Sequence, residues 1–176
     1  MEILPPARKI IAVRRRKIHH QGMSEIWQSD AVIARTQIIA RSYYKWTGRD
    51  LLPGLFNPAG LAKNFFHAPF VLVAHGTEID PVLDYGNAAA LALWEMSWEE
   101  LTRTPSRLTA EVPNREERAR LLAAVTERGF IDDYSGIRIS KTGRRFRIAQ
   151  ATVWNLLDAG GIYAGQAALF SRWEFL

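Results

Sequence analysis

The sequence predicts an α+β domain: a five-stranded antiparallel sheet with helices on one face, preceded by a helical extension. Three observations carry this. Residues 130–175 hold three long β-rich runs joined by two glycine turns, a meander pattern. Two short apolar runs lie upstream at 70–74 and 82–85, and helical segments separate them from the meander. Helices inserted between the second and third strands of an antiparallel sheet describe an α+β layer. Finally, 176 residues with 48% hydrophobic and 23% charged side chains is ordinary usage for one globular domain.

Each element has its own local signals. Residues 24–46 read as a helix capped by Ser24, with Glu25 and Asp30 at its positive end and Gly48 as its stop. Val32, Ile39, Tyr43 and Trp46 recur at helical spacing and form one apolar stripe, interrupted by Thr36. Residues 49–69 are a connector broken by Pro53, Gly54 and the Pro58-Ala59-Gly60 run, with a short helix over Leu61–Phe66. Phe70–Ala74 suits a buried strand, residues 75–81 a turn, and Val82–Tyr85 a second strand. Asn87 caps an apolar helix through Trp94, and Ser97 opens a shorter one. Asn114 caps a helix over Arg115–Arg128 that Gly129 ends. The strands Phe130–Ser140, Arg144–Leu156 and Gly161–Phe175 complete the sheet.

The charge is unevenly placed. The chain carries 23 basic and 18 acidic residues. Residues 1–22 hold six of the bases and one acid, so the remaining 154 residues hold 17 of each sign and are neutral. A nucleic-acid-binding fold shows a basic face on its body. Here the excess sits in a terminal stretch that reads as a disordered extension, so nucleic acid is not an expected partner. There is no cysteine, which excludes disulfides, thiolate metal sites and cysteine nucleophiles and fits a cytoplasmic location. No apolar run approaches the ~20 residues that span a bilayer, so no membrane role is expected.

Several segments resemble one family. Val82-Leu83-Asp84-Tyr85-Gly86-Asn87-Ala88-Ala89-Ala90-Leu91 looks like the second strand of a PAS domain running into its Asn-capped helix. Ser97-Trp98-Glu99-Glu100-Leu101 resembles that family's E-E-L step, and Ile137–Arg147 resembles its glycine hairpin. Pro69–Gly76, Asp80-Pro81, Leu93–Met96, Pro105-Ser106-Arg107 and Tyr134–Arg138 are together similar to the MEKHLA domain. That PAS-like module occurs at the C-terminus of plant class III homeodomain–leucine-zipper transcription factors and as a stand-alone bacterial protein. The resemblance covers roughly residues 24–175. Taken with the charge count, it divides the chain into a basic tail over 1–22, a helical extension over 23–68 and a PAS-like domain over 69–176. It also implies a sensory module that binds a small ligand or a signalling protein, and a homodimer formed through the N-terminal helix. In that case Val32, Ile39, Tyr43 and Trp46 are the dimer contacts, although the same stripe also suits packing on the outer face of the sheet.

The site the resemblance implies is a pocket between the sheet and the helices. Light-sensing LOV chemistry needs a cysteine that this chain lacks, and residues 114–129 offer no axial histidine for haem. No cofactor is expected, and no metal, because the four histidines have no ligand spacing. Trp94, Trp98 and Tyr134 are candidate aromatic walls, and Gln150 and Trp154 share one face of a regular strand over 144–156. Buried Gln166 needs a partner in the protein or in a ligand. His75 ends a strand, and Arg107 suits a ligand carboxylate. No G-x-S-x-G, Walker or H-E-x-x-H motif is present, so the expected function is non-catalytic. A small-molecule enzyme and a nucleic-acid accessory protein acting through the tail are the alternatives.

Overall fold

The structure is a computed structural model that describes residues 26–176. The basic stretch 1–22 and the expected cap Ser24 lie outside the described residues. The chain forms α1 (Asp30–Thr47), α2 (Pro58–Phe66), β1 (Val71–His75), β2 (Leu83–Gly86), α3 (Ala88–Trp94), α4 (Trp98–Leu101), α5 (Val112–Arg128), β3 (Phe130–Ile139), β4 (Arg145–Leu157), β5 (Tyr163–Phe170) and β6 (Arg172–Phe175). A single turn of 3₁₀ helix over Ile26–Gln28 precedes α1. Ser29, one residue before α1, accepts from the Val32 amide and caps it.

All strand pairs are antiparallel, and the main order is β2-β1-β5-β4-β3. The last β-rich run is two strands rather than one. It breaks at Ser171, and β6 pairs with the first half of β4 while β5 pairs with the second half. The sheet therefore has six strands where five were expected. Helix α5 also begins earlier than the sequence suggested, with Glu111 rather than Asn114 before its first turn and Pro113 inside that turn.

Both faces of the sheet are covered. On the inner face, Val71, Phe146, Ile148, Ala151, Val153 and Phe170 pack with Ala90, Leu93 and Trp94 of α3 and Val125 of α5. On the outer face, Leu72, Trp154, Leu156 and Ala167 pack with Val32 and Ile39 of α1 and Phe65 of α2. The apolar stripe of α1 is thus spent within the chain and is not a free dimer surface. Tyr43 meets Trp154 edge-on at 5.0 Å, and the Trp46 indole N–H donates to the Asn155 carbonyl at 2.8 Å. Thr36 does not interrupt the stripe: it is fully buried, and its hydroxyl donates to the Ile33 carbonyl at 2.9 Å.

One side chain locks α1 onto the sheet. Arg35 donates to the Ala164 carbonyl at 3.0 Å and the His75 carbonyl at 2.8 Å, and it pairs with Asp84 at 2.6 Å. It bridges β5, β1 and β2 from a single helical position. Hydrogen bonds to charged groups contribute about 1.5–3 kcal/mol. Arg35→Gln is expected to lower stability by about 2 kcal/mol in urea unfolding. An unchanged urea midpoint would show that the lock contributes nothing.

Candidate functional site

The inner layer does not close completely. A cavity of about 60 Å³ remains between the sheet and α5, lined by His75, Trp94, Arg118, Tyr134, Arg138 and Gln166 among apolar neighbours. A buried water needs roughly 10–15 Å³ on this scale, so the space holds roughly four to six waters. Pockets for drug-sized ligands run to ~300–1,000 Å³. The cavity suits a molecule of a few heavy atoms and not a flavin.

Four expected pocket residues are here. Trp94 is a wall against Phe146 and Phe170, and its indole N–H is buried with no partner among the described residues. Tyr134 accepts from Arg138 at 2.8 Å. Gln166 is buried and finds its partners inside the protein, donating to the Leu122 carbonyl, the Thr126 hydroxyl and Asn155 Oδ1 at 2.9–3.1 Å. Its amide ties β5 to α5 and fixes the floor.

His75 is the fourth. Its Nδ1 lies 2.8 Å from the Gly76 carbonyl. A carbonyl only accepts, so Nδ1 carries the proton and Nε2 is left with a lone pair. That Nε2 is buried with no partner among the described residues. Burial, followed by the nearby Arg118 and Arg35, pushes the His75 pKa below its usual 6.5, against the opposite pull of the Gly76 carbonyl. The ring is neutral at pH 7. In the unfolded chain it takes up a proton near 6.5, before the folded chain does. Stability therefore falls as pH drops below about 6.5 and levels off once the folded pKa is passed. His75→Gln is expected to flatten this component below about pH 6.5 in urea-midpoint measurements. Identical curves for the two proteins would contradict it.

Four expected residues lie elsewhere. Gln150 has φ +54° and is exposed, and its side-chain Oε1 accepts from Arg172 at 2.8 Å. It marks a bulge: Tyr134 pairs with Ala151, yet Gly136 pairs with Ile148, so β4 holds one extra residue. The bulge reverses the alternation. Phe146 and Ile148 face inward before it and Ala151 and Val153 after it, which sends Trp154 to the outer face against α1. Trp98 stacks edge-on with Tyr85 at 6.0 Å, away from the cavity. Arg107 is exposed and clasps Asp80 at 3.0 and 3.1 Å.

Two residues the sequence did not point to complete the site. Arg138 is only 7% exposed, and its guanidinium donates to the Ile137 carbonyl and the Tyr134 hydroxyl. Arg118 projects from α5 into the cavity wall. Burial and the neighbouring Arg138 bring its pKa down to about 10, so it remains charged at neutral pH. Among the described residues neither arginine makes an ion pair. The cavity therefore gathers two cations, a neutral imidazole and a phenol, with no carboxylate.

The order of these elements, with the helices between β2 and β3 covering the inner face, decides the family together with one match. The MEKHLA domain profile fits residues 33–175. The chain belongs to the MEKHLA domain family. Its relatives include the homeobox-leucine zipper proteins ATHB-14 and ATHB-9 of Arabidopsis thaliana, 26% identical over 142 residues and 25% identical over 160. Those matches take in 78% and 88% of this chain but only 17% and 19% of the plant proteins. The fold of this chain is similar to that of PAS and LOV domains. The PAS domain of a protein from Colwellia psychrerythraea superposes with TM-score 0.51 at 17% identity, over 65% of this chain and 92% of that one. An RNA-binding light-oxygen-voltage receptor gives 0.59 at 18%, over 70% and 36%. A fungal LOV domain photoreceptor gives 0.54 at 14%, over 89% and 98%. Among the described residues of this MEKHLA domain, no helix is long and apolar enough to cross a membrane.

Proposed function

We propose that this MEKHLA domain is a non-catalytic sensory module that holds a small ligand in the inner cavity and reports it through α1. The observation that carries the reading is the double role of His75. Its ring lines the cavity, while its backbone carbonyl accepts from Arg35 on the opposite, α1-covered face. A ligand that displaces or orients the ring acts on the residue that holds α1 in place. The shift in the α1 equilibrium is limited to the difference in ligand affinity between the two arrangements.

The ionisable groups favour binding over turnover. Acid–base catalysis needs a titratable pair with suitable pKa values and geometry. The cavity offers two guanidiniums, a phenol and one imidazole, whose pKa burial lowers, and no carboxylate. The lack of a carboxylate beside the imidazole supports binding over the enzyme alternative. Residues 1–22, which the nucleic-acid alternative requires, are outside the described residues.

Native mass spectrometry of the full chain, repeated after denaturation, tests the reading. The expected result is an added mass of a few heavy atoms that is lost on denaturation. A bare mass, combined with a small-molecule NMR screen that moves no cavity resonance, would contradict it.

A further inference from the structure

We infer that the ligand of the inner cavity is a small carboxylate with a short alkyl tail, its carboxylate held between Arg118 of α5 and Arg138 of β3. The inference rests on the reading of the cavity as a ligand site and names what that site would take.

Charge is the first argument. Two guanidiniums, those of Arg118 and Arg138, border one small space, and Arg138 is almost fully buried. Buried charges are normally paired. Among the described residues no carboxylate pairs with either guanidinium, and none lines the cavity. A bound anion would supply the counter-charge that the cavity walls lack.

Geometry narrows the anion. Planar guanidiniums match the two oxygens of a carboxylate. The Tyr134 oxygen already accepts from Arg138, which leaves its hydroxyl hydrogen free to donate to an anion. Beside His75, Thr109 and Gln166, much of the remaining wall is apolar, with Leu122, Ile148, Ala151 and Val153 lining the space. Inorganic phosphate satisfies the arginines but leaves those walls against a fully polar ion. A carboxylate carrying an alkyl tail satisfies both. The volume, roughly four to six waters, sets the size at about that of acetate to butyrate.

The test is a ¹H–¹⁵N NMR titration of the full-length protein at constant ionic strength. The probes are sodium acetate, propionate and butyrate, the uncharged acetamide and propionamide, and sodium phosphate. The acids are expected to give saturable shifts at the amides of His75, Gln166 and Leu122. The amides and phosphate should bind at least tenfold more weakly. Arg118→Met should weaken the acids at least tenfold with its thermal unfolding still cooperative, Arg118→Lys should recover part of the loss, and Arg107→Met should change nothing. The acid–amide comparison is made on the unaltered protein and needs no variant to fold. Amides binding as tightly as the acids, or phosphate binding as tightly as propionate, would overturn the carboxylate assignment and leave the cavity as a ligand site. No cavity shift with any probe would overturn both.

Discussion

Replacing Gly165 by alanine is expected to abolish the stable fold or cost at least about 4 kcal/mol, the range reserved for a few severe mechanisms. A Cβ built on Gly165 would lie 1.9 Å from the His75 carbonyl oxygen and 3.0 Å from its carbon. Both contacts are to backbone, so no side-chain rotation relieves them. The residue also sits at φ +108°, which L side chains rarely adopt. The only relief is to separate β1 from β5 where His75 pairs with Gln166. That is also where Arg35 reaches the Ala164 and His75 carbonyls. One methyl group therefore attacks the sheet, the α1 lock and the cavity floor together. Folded domains hold only about 5–15 kcal/mol in total, so circular dichroism melting of Gly165→Ala should show a large loss. A melting temperature within a few degrees of the parent would contradict the account of this crossing.

Asn87→Ala is the second large effect, expected to cost about 3–5 kcal/mol, since each buried group left unpaired costs about 1–3 kcal/mol. The side chain is fully buried and makes four hydrogen bonds. Its oxygen accepts from the Leu72 and Ala90 amides at 3.1 Å each, and its nitrogen donates to the Phe70 carbonyl at 2.7 Å and the Phe65 carbonyl at 3.3 Å. It caps α3 while tying the end of α2 to the start of β1. The cap alone accounts for about 1 kcal/mol. Asn87→Asp keeps the acceptor but loses both donations, and it places a carboxylate against two carbonyls. Urea unfolding should place Asn87→Asp below the parent as well. Parent-like stability for Asn87→Asp would show that the two donations are not needed.

Much of this was legible in the sequence wherever a local rule decides. Asn87, Ser97 and Gly129 mark helix ends by cap chemistry that acts within one turn, and all three do so here. The strands before and after α3–α5 were legible too, except that the last run divides at Ser171 into β5 and β6. The Gln150 bulge was harder, because no glycine or proline announces it. Its trace is the spacing Phe146, Ile148, Ala151, Val153, where strict alternation slips by one residue. An assumption of regular pleating placed Gln150 and Trp154 in the pocket, and the slip removes both. Arg118 left no trace at all. It lies among Arg115, Glu116, Glu117 and Arg120, which read as a solvated helix face. Only the docking of α5 across the sheet decides that one of these charges turns inward. Trp98 and Arg107 were misplaced for a related reason. The segment carrying them folds along the β2 edge, where Val82 bridges Pro105, instead of over the cavity.

The central claim is that the cavity and α1 are coupled through His75 and Arg35. The most direct measurement follows the Arg35 Nε–H resonance, whose proton is donated to Asp84, during a propionate titration of the full-length protein. The account predicts that this resonance and the backbone amides of His75 and Gln166 move along one saturation curve. Shifts at the cavity amides with Arg35 unmoved would contradict the coupling, and a titration that moves neither would contradict the site itself.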